Sequence, residues 1–308
     1  MATRTKLHPR NQHSRGYDFE FLVAQTPELG AFTIANPAGQ ATIDFQDVSA
    51  VRMLNQALLK AHYDIDFWDI PVGYLCPPIP GRVDYIHYLA DLLADSNNQE
   101  IPRGRNIKAL DIGTGASLVY PLTGQSEYGW HFTGVDIDAG AIASAKKICE
   151  FNKLEITLRH QKKPENIFRG VIQPNDAFHL TMCNPPFHSS MEQANKGTQR
   201  KWANLGKGHS KKLNFGGRNA ELWCPGGEIK FVARMVEQSV EFADQCLWFT
   251  SLVSKKENLE PLSRILKRAK IADYKVVEMA QGQKTSRFIA WTYKKKYQRS
   301  LFAKGDRA

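Results

Sequence analysis

The sequence predicts an α/β fold with a mostly parallel, seven-stranded sheet covered by helices on both faces and ending in an antiparallel hairpin. Three observations predict it. Apolar strand-like runs alternate with helical spacing from Ile101 onward, the pattern of parallel strands joined by crossover helices. The run 107–112 passes straight into a glycine loop, Gly113-Thr114-Gly115, as where backbone approaches a ligand closely. The last two strand-like runs are separated only by residues 281–285. That span is too short for a crossover helix, so those strands must pair antiparallel.

The elements follow in order. Residues 1–40 read as a basic arm with little regular structure until Phe19-Glu20-Phe21-Leu22. Residues 48–61 place Val51, Leu54, Leu58 and Leu59 on one helical face, and 82–94 do the same with Val83, Ile86, Leu89 and Leu93. Between them, 68–82 carries Pro71, Pro77, Pro78 and Pro80 and reads as a loop. Strands are expected at 107–112, 131–136, 155–160, 178–183, 245–252, 274–280 and 286–293, and helices at 138–151, 228–241 and 257–269. The division is an N-terminal arm and helical cap (1–100) packed on a core (101–308), together one structural unit. No internal repeat or low-complexity tract is visible.

The chemistry concentrates in Asn184-Pro185-Pro186-Phe187, which follows the apolar run 178–183. Two prolines forbid a helix there and stiffen the chain. This is where open parallel sheets bind ligands, outside the carboxyl ends of their strands. An Asn side-chain oxygen and the Pro185 carbonyl can both accept from one exocyclic NH2, and Phe187 can stack on the ring that carries it. Upstream, Asp111, Gly113, Gly115 and Ser117 form an Asp-x-Gly-x-Gly-x-Ser loop, and Asp136 ends the next strand 21 residues after Gly115. A carboxylate there is placed to accept from ribose hydroxyls. A dinucleotide fingerprint would want a third glycine where this chain has Leu118. S-adenosylmethionine, a cation with a free amino group, suits Asp111 beside the loop. Together these residues point to a class I (Rossmann-like) S-adenosylmethionine-dependent methyltransferase, with Asn184, Pro185, Pro186 and Phe187 doing the chemistry.

Composition narrows the setting. The chain has 308 residues, 42% hydrophobic, and no apolar run near the ~20 residues of a membrane span. The polar, basic start shows no signal peptide. Five scattered cysteines without C-x-x-C spacing fit a reducing cytoplasm, and the nine histidines lack ligand spacing, so no metal is expected. Net charge is +10. Between His188 and Arg218 stand Lys196, Arg200, Lys201, Lys207, Lys211, Lys212 and Arg218 against the single acid Glu192. Lys6, Arg10 and Arg15 lie in an acid-free arm. Basic runs beside an amine-binding motif predict a polyphosphate substrate, with the loop 188–227 gripping RNA. Nothing signals an obligate dimer, so a monomer is expected. The rival readings are a protein glutamine N5-methyltransferase, since an amide NH2 suits the same motif, a DNA adenine methyltransferase, and a non-catalytic rRNA-binding assembly factor.

The residues resemble the family of ribosomal RNA large subunit methyltransferase F and its eukaryotic adenine-N6 relatives. The likeness runs end to end, through His8-Pro9-Arg10-Asn11, Pro77-Pro78-Ile79-Pro80-Gly81-Arg82-Val83-Asp84-Tyr85-Ile86-His87, Asn184-Pro185-Pro186-Phe187, Glu221-Leu222-Trp223-Cys224 and Gln281-Gly282-Gln283-Lys284-Thr285-Ser286-Arg287-Phe288. The resemblance implies methyl transfer from S-adenosylmethionine to adenine N6 in large-subunit (23S) rRNA, free or as an assembly intermediate. It also implies that Arg82 pairs with the cofactor carboxylate.

Overall fold

The computed structural model describes residues 7–186, 188, 219–281 and 284–303. The N-terminal region is more ordered than the sequence suggests. A 3₁₀ turn at Gln12–Arg15 precedes α1 (Phe19–Gln25), and the short strands β1 (Thr33–Ala35) and β2 (Ala41–Ile43) pair antiparallel. Helix α2 (Val48–Tyr63) starts on Asp47, whose carboxylate accepts from the Ser49 amide. It buries the expected Val51, Leu54, Leu58 and Leu59. Helix α3 (Ile79–Ala94) begins three residues before the spacing suggested. Pro80 sits in its first turn, where no amide hydrogen is needed for the helical ladder. What reads as the end of a proline-rich loop is therefore the start of a helix.

The arm is a correction too. His8, Asn11 and His13 are buried. The His8 amide and the Asn11 side chain both donate to Asp84 Oδ1, at 2.9 and 2.6 Å, and Asn11 also donates to the Pro80 carbonyl at 2.9 Å. Arg10 was expected to reach phosphate. Instead its guanidinium donates to Tyr128 Oη, the His87 carbonyl and Asp91 Oδ1 at 3.0, 2.9 and 2.7 Å. Polar contacts to α2, α3 and Tyr128 and ring packing of His8 on His87 and Tyr88 hold this geometry.

The core follows as β3 (Lys108–Ile112), α4 (Val119–Tyr128), β4 (His131–Asp136), α5 (Ala139–Phe151), β5 (Thr157–His160) and β6 (Phe178–Cys183). After these come α6 (Asn219–Leu222), α7 (Gly227–Ser239), β7 (Cys246–Leu252), α8 (Leu259–Arg268), β8 (Asp273–Gln281), β9 (Lys284–Thr292) and α9 (Lys296–Ala303). The sheet order is β5-β4-β3-β6-β7-β9-β8. Neighbours β5 through β7 run parallel, β9 pairs antiparallel with β7, and β8 with β9. The five parallel strands and terminal hairpin expected from the sequence are therefore present.

One face of the sheet packs Ala109, Leu180 and Met182 with α2, α3, α4 and α5, and the other packs Leu110 and Ile112 with α7 and α8. Helix α4 was not foreseen. Val119, Tyr120, Pro121, Leu122, Thr123 and Gly124 are all buried, so it lacks the polar stripe that marks a surface helix. Gly124 is needed there: a Cβ would lie 2.4 Å from Phe132 Cζ. The backbone of α4 thus comes within reach of the ring on β4. No helix among the described residues is long and apolar enough to cross a membrane.

Candidate active site

Strand register assembles the site. Ile112 pairs with Val135 on one side and Cys183 on the other. The residues that follow, Gly113, Asp136 and Asn184, therefore emerge side by side at one sheet edge. The chain turns sharply after β3: the Gly113 and Thr114 amides donate to the Val135 carbonyl at 2.8 and 2.9 Å. Gly113 and Gly115 hold φ of 75° and 67°, a conformation a side chain would strain. A Cβ on Gly113 would meet nothing within 4 Å, so this glycine borders open space.

Asp136 fixes the loop from the next strand. Its Oδ2 accepts from the Gly115 amide and its Oδ1 from the Asp138 amide, both at 2.9 Å. Burial raises its pKa, against the pull of those amides. A carboxylate oxygen has two lone pairs, so each retains capacity for a ribose hydroxyl. Asp138 then caps α5, accepting from Gly140 at 2.7 Å, and receives Tyr74 Oη at 3.0 Å.

A cavity of about 640 Å³ opens over this edge. Gly113, Gly115, Ser117 and Asp136 line its floor, Asn184 and Pro186 one wall, and Tyr74 and Arg82 the side toward the cap. Arg82 donates from one terminal nitrogen to Tyr120 Oη at 2.9 Å, while its buried Nε has no hydrogen-bond partner among the described residues. Asn184 Oδ1 is likewise buried and unpartnered. Pro185 is buried behind the wall.

Asp111 is not part of the lining. It lies fully buried beneath the loop, both carboxylate oxygens without a well-formed hydrogen bond among the described residues, and its pKa is pushed up to about 7. Burial is the main cause. The charge of Asp136 adds to it, while the Thr114 hydroxyl and the Arg82 charge pull the other way. Its influence on a ligand would be electrostatic, from behind the loop. Arg15 is exposed at the end of the first 3₁₀ turn. Phe187, Lys6, Lys196, Arg200, Lys201, Lys207, Lys211 and Lys212 lie outside the described residues.

The far wall is one that residue-by-residue reading missed. Glu221, Trp223 and Cys224 line the cavity. Glu221 accepts from the Leu75 amide at 3.1 Å, tying α6 to the proline-rich loop. The segment is also tied to the substrate motif: His188 donates to the Leu222 carbonyl and accepts from Cys224, both at 3.1 Å. The sequence offered only the resemblance in which this tetrapeptide took part, since no strand or helix periodicity marks it.

An open cavity at the carboxyl ends of parallel strands, a glycine turn, an acid ending the next strand and Asn-Pro-Pro after the adjoining one define a Rossmann-like methyltransferase. The family described as RNA methyltransferase, Methyltransf_10, matches residues 1–295, and the chain belongs to it. The chain is 64% identical over 292 residues to ribosomal RNA large subunit methyltransferase F of Pseudoalteromonas translucida, covering 95% of this chain and 94% of that one. It is 54% identical over 299 residues to the protein of the same name from Pseudomonas entomophila, covering 95% of each. Among solved structures it is similar to the human METTL16 catalytic domain in complex with MAT2A 3'UTR hairpin 1, with TM-score 0.80, 28% identity and coverage of 94% and 96%. The N-terminal domain of human METTL16 in complex with SAH is also similar, with TM-score 0.73, 26% identity and coverage of 94% and 99%.

Proposed function

We propose that the protein transfers a methyl group from S-adenosylmethionine to N6 of an adenine in large-subunit rRNA. The observation that carries this reading is Asn184 Oδ1, an acceptor buried without a partner in the wall of a cavity floored by the glycine loop. Such an atom is costly unless a ligand donates to it. The residues fit the cofactor. Gly113 would let the cofactor approach the backbone closely, Asp136 would accept from its ribose hydroxyls, Arg82 would donate to its carboxylate, and Asp111 would add negative potential beneath a cation.

When bound, S-adenosylmethionine would supply an electrophilic methyl group to N6, the bonding electron pair staying with sulfur and one N6 proton passing to solvent. The protein prepares the amine. Its lone pair is delocalised into the ring, and Asn184 Oδ1 with the Pro185 carbonyl would accept from its two N–H groups. That favours a pyramidal nitrogen and stabilises the positive charge that develops on it. Alignment of the two centres supplies much of the remaining rate. Phe187 would stack on the extruded base and offset part of the cost of unstacking it, a few kcal/mol. The reading extends to an assembly intermediate as the RNA form acted on, and to a monomeric enzyme in the cytoplasm. Lys6, Arg15 and the basic residues from Lys196 to Lys212 would meet phosphate.

The test is methyl transfer from labelled S-adenosylmethionine to unmodified large-subunit rRNA, naked and partly assembled, with products read as nucleosides by mass spectrometry. N6-methyladenosine is expected. Asn184→Ala should lower kcat by on the order of 10²–10³ while cofactor affinity changes little. Label recovered on protein, or a variant as fast as the wild type, would overturn the reading.

A further inference from the structure

The cavity wall carries a second unpartnered polar atom whose chemistry complements Asn184. Trp223 lines the same cavity, and its buried Nε1 has no hydrogen-bond partner among the described residues. Two other unpartnered groups, Thr114 Oγ1 and Arg82 Nε, belong to the glycine-loop and cap side, where the cofactor is proposed to sit. Trp223 instead lies in a segment tied to the substrate motif. Leu222 and Cys224, its neighbours in the chain, are hydrogen-bonded to His188, four residues beyond Asn184. The wall therefore offers one atom that can only donate, the indole N–H, and one side-chain oxygen that can only accept.

We propose that Trp223 is a specificity-determining residue that donates to N1 of the target adenine while Asn184 accepts from N6. This rests on the adenine reading above. N1 and the N6 amine are adjacent on one edge of the base and present an acceptor beside a donor. Guanine and uracil present the reverse at the same two positions, a carbonyl oxygen beside a ring N–H. Either would set a carbonyl against Asn184 Oδ1 and an N–H against the indole N–H, leaving both buried groups unsatisfied. Cytosine repeats the adenine pattern, so this pair rejects guanine and uracil and leaves cytosine to ring size. A site built to hydrogen-bond a substrate rejects analogues that lack the partner far more strongly than an apolar slot does.

The experiment is a coupling measurement. The adenosine that the wild-type enzyme converts to N6-methyladenosine is mapped first. The same RNA is then made with 1-deazaadenosine at that position, which keeps the amine and the ring but replaces N1 by C–H. Wild type should lose roughly 10- to 100-fold in kcat/KM on the deaza substrate. Trp223→Phe should lose a similar factor on adenosine and little more on the deaza substrate, with cofactor affinity by calorimetry unchanged. Independent, multiplying losses would show that the indole N–H does not meet N1. Wild type indifferent to the deaza substitution would overturn the proposal whether or not the variant folds. A Trp223→Phe defect confined to cofactor affinity would also overturn it, assigning the N–H to the cofactor. A wild-type product other than N6-methyladenosine would fail before any variant is made, and would remove the adenine reading rather than Trp223 alone.

Discussion

Asp111 gives the structure a pH dependence that can be worked out in advance. Its carboxyl is fully buried, both oxygens lack a well-formed hydrogen bond among the described residues, and its pKa stands at about 7 against the ordinary 3.8. Because the folded-state value is raised, the folded protein holds a proton that the unfolded chain has already released. Below 3.8 both states are protonated and the group has no effect. Stability then falls as pH rises from 3.8 to about 7 and levels off above. At about 1.4 kcal/mol per pH unit, the full penalty is about 4 kcal/mol, roughly 3 of it between pH 5 and 8. Asp111→Asn keeps the shape and removes the titration. Any unsatisfied amide it introduces shifts stability by an amount independent of pH. The assay is urea denaturation of both proteins at pH 5, 6.5 and 8 without cofactor. The variant should gain about 3 kcal/mol on the wild type across that range. The pKa of Asp136 is also raised, but that residue is present in both proteins and largely cancels in the difference. Parallel stability curves would refute the reasoning, showing that water or a shifted side chain solvates Asp111 after all.

Gly124→Ala should destabilise by up to about 2 kcal/mol in thermal or chemical denaturation. The helical preference for Ala, about 1 kcal/mol, opposes an overpacking cost of about 1–3 kcal/mol against Phe132, and the penalty should shrink in a Phe132→Leu background. Arg10→Ala should cost about 1–2 kcal/mol of stability, since its bonds to Tyr128, His87 and Asp91 are half-exposed. The salt dependence of RNA binding should not change, which separates an anchoring role from a phosphate contact. Combined Lys207→Glu, Lys211→Glu and Lys212→Glu should weaken RNA binding and flatten its logarithmic salt slope by roughly 0.7–0.9 per lost phosphate contact, with cofactor affinity intact.

How much of this was legible in the sequence depended on what kind of signal each part carries. β4 and β6 were read to the residue, because buried parallel strands are continuous apolar runs bounded by polar turns. Gly113, Asp136 and Asn184 were legible as a site for the same reason: each ends such a run, and adjacent parallel strands bring their ends together. Helix α4 was hidden because it is buried all round, with Pro121 and Gly124 where a helix former is expected. The start of α3 was hidden because prolines signal a loop as readily as a first helical turn. Arg10 read as a free basic residue, since sequence spacing could not show that Asp91 and Tyr128, 81 and 118 positions away, would meet it. The partnerless indole of Trp223 was beyond reach altogether, since the absence of a bond is a property of the folded wall.

The strand order carries a consequence for how the chain is made. β9 lies between β7 and β8, so a strand synthesised after β8 occupies an interior position in the sheet. Until residues 284–292 have left the ribosome, β7 presents an unpaired row of backbone donors and acceptors along Phe249–Leu252. Its aromatic side chains are ones the finished fold buries completely. An exposed apolar edge of this kind invites pairing with another chain. The nascent protein is therefore most prone to aggregate late in translation, with the cofactor edge of β3, β4 and β6 already synthesised. Stalled or prematurely terminated chains lacking β9 should be clients of chaperones rather than slower enzymes.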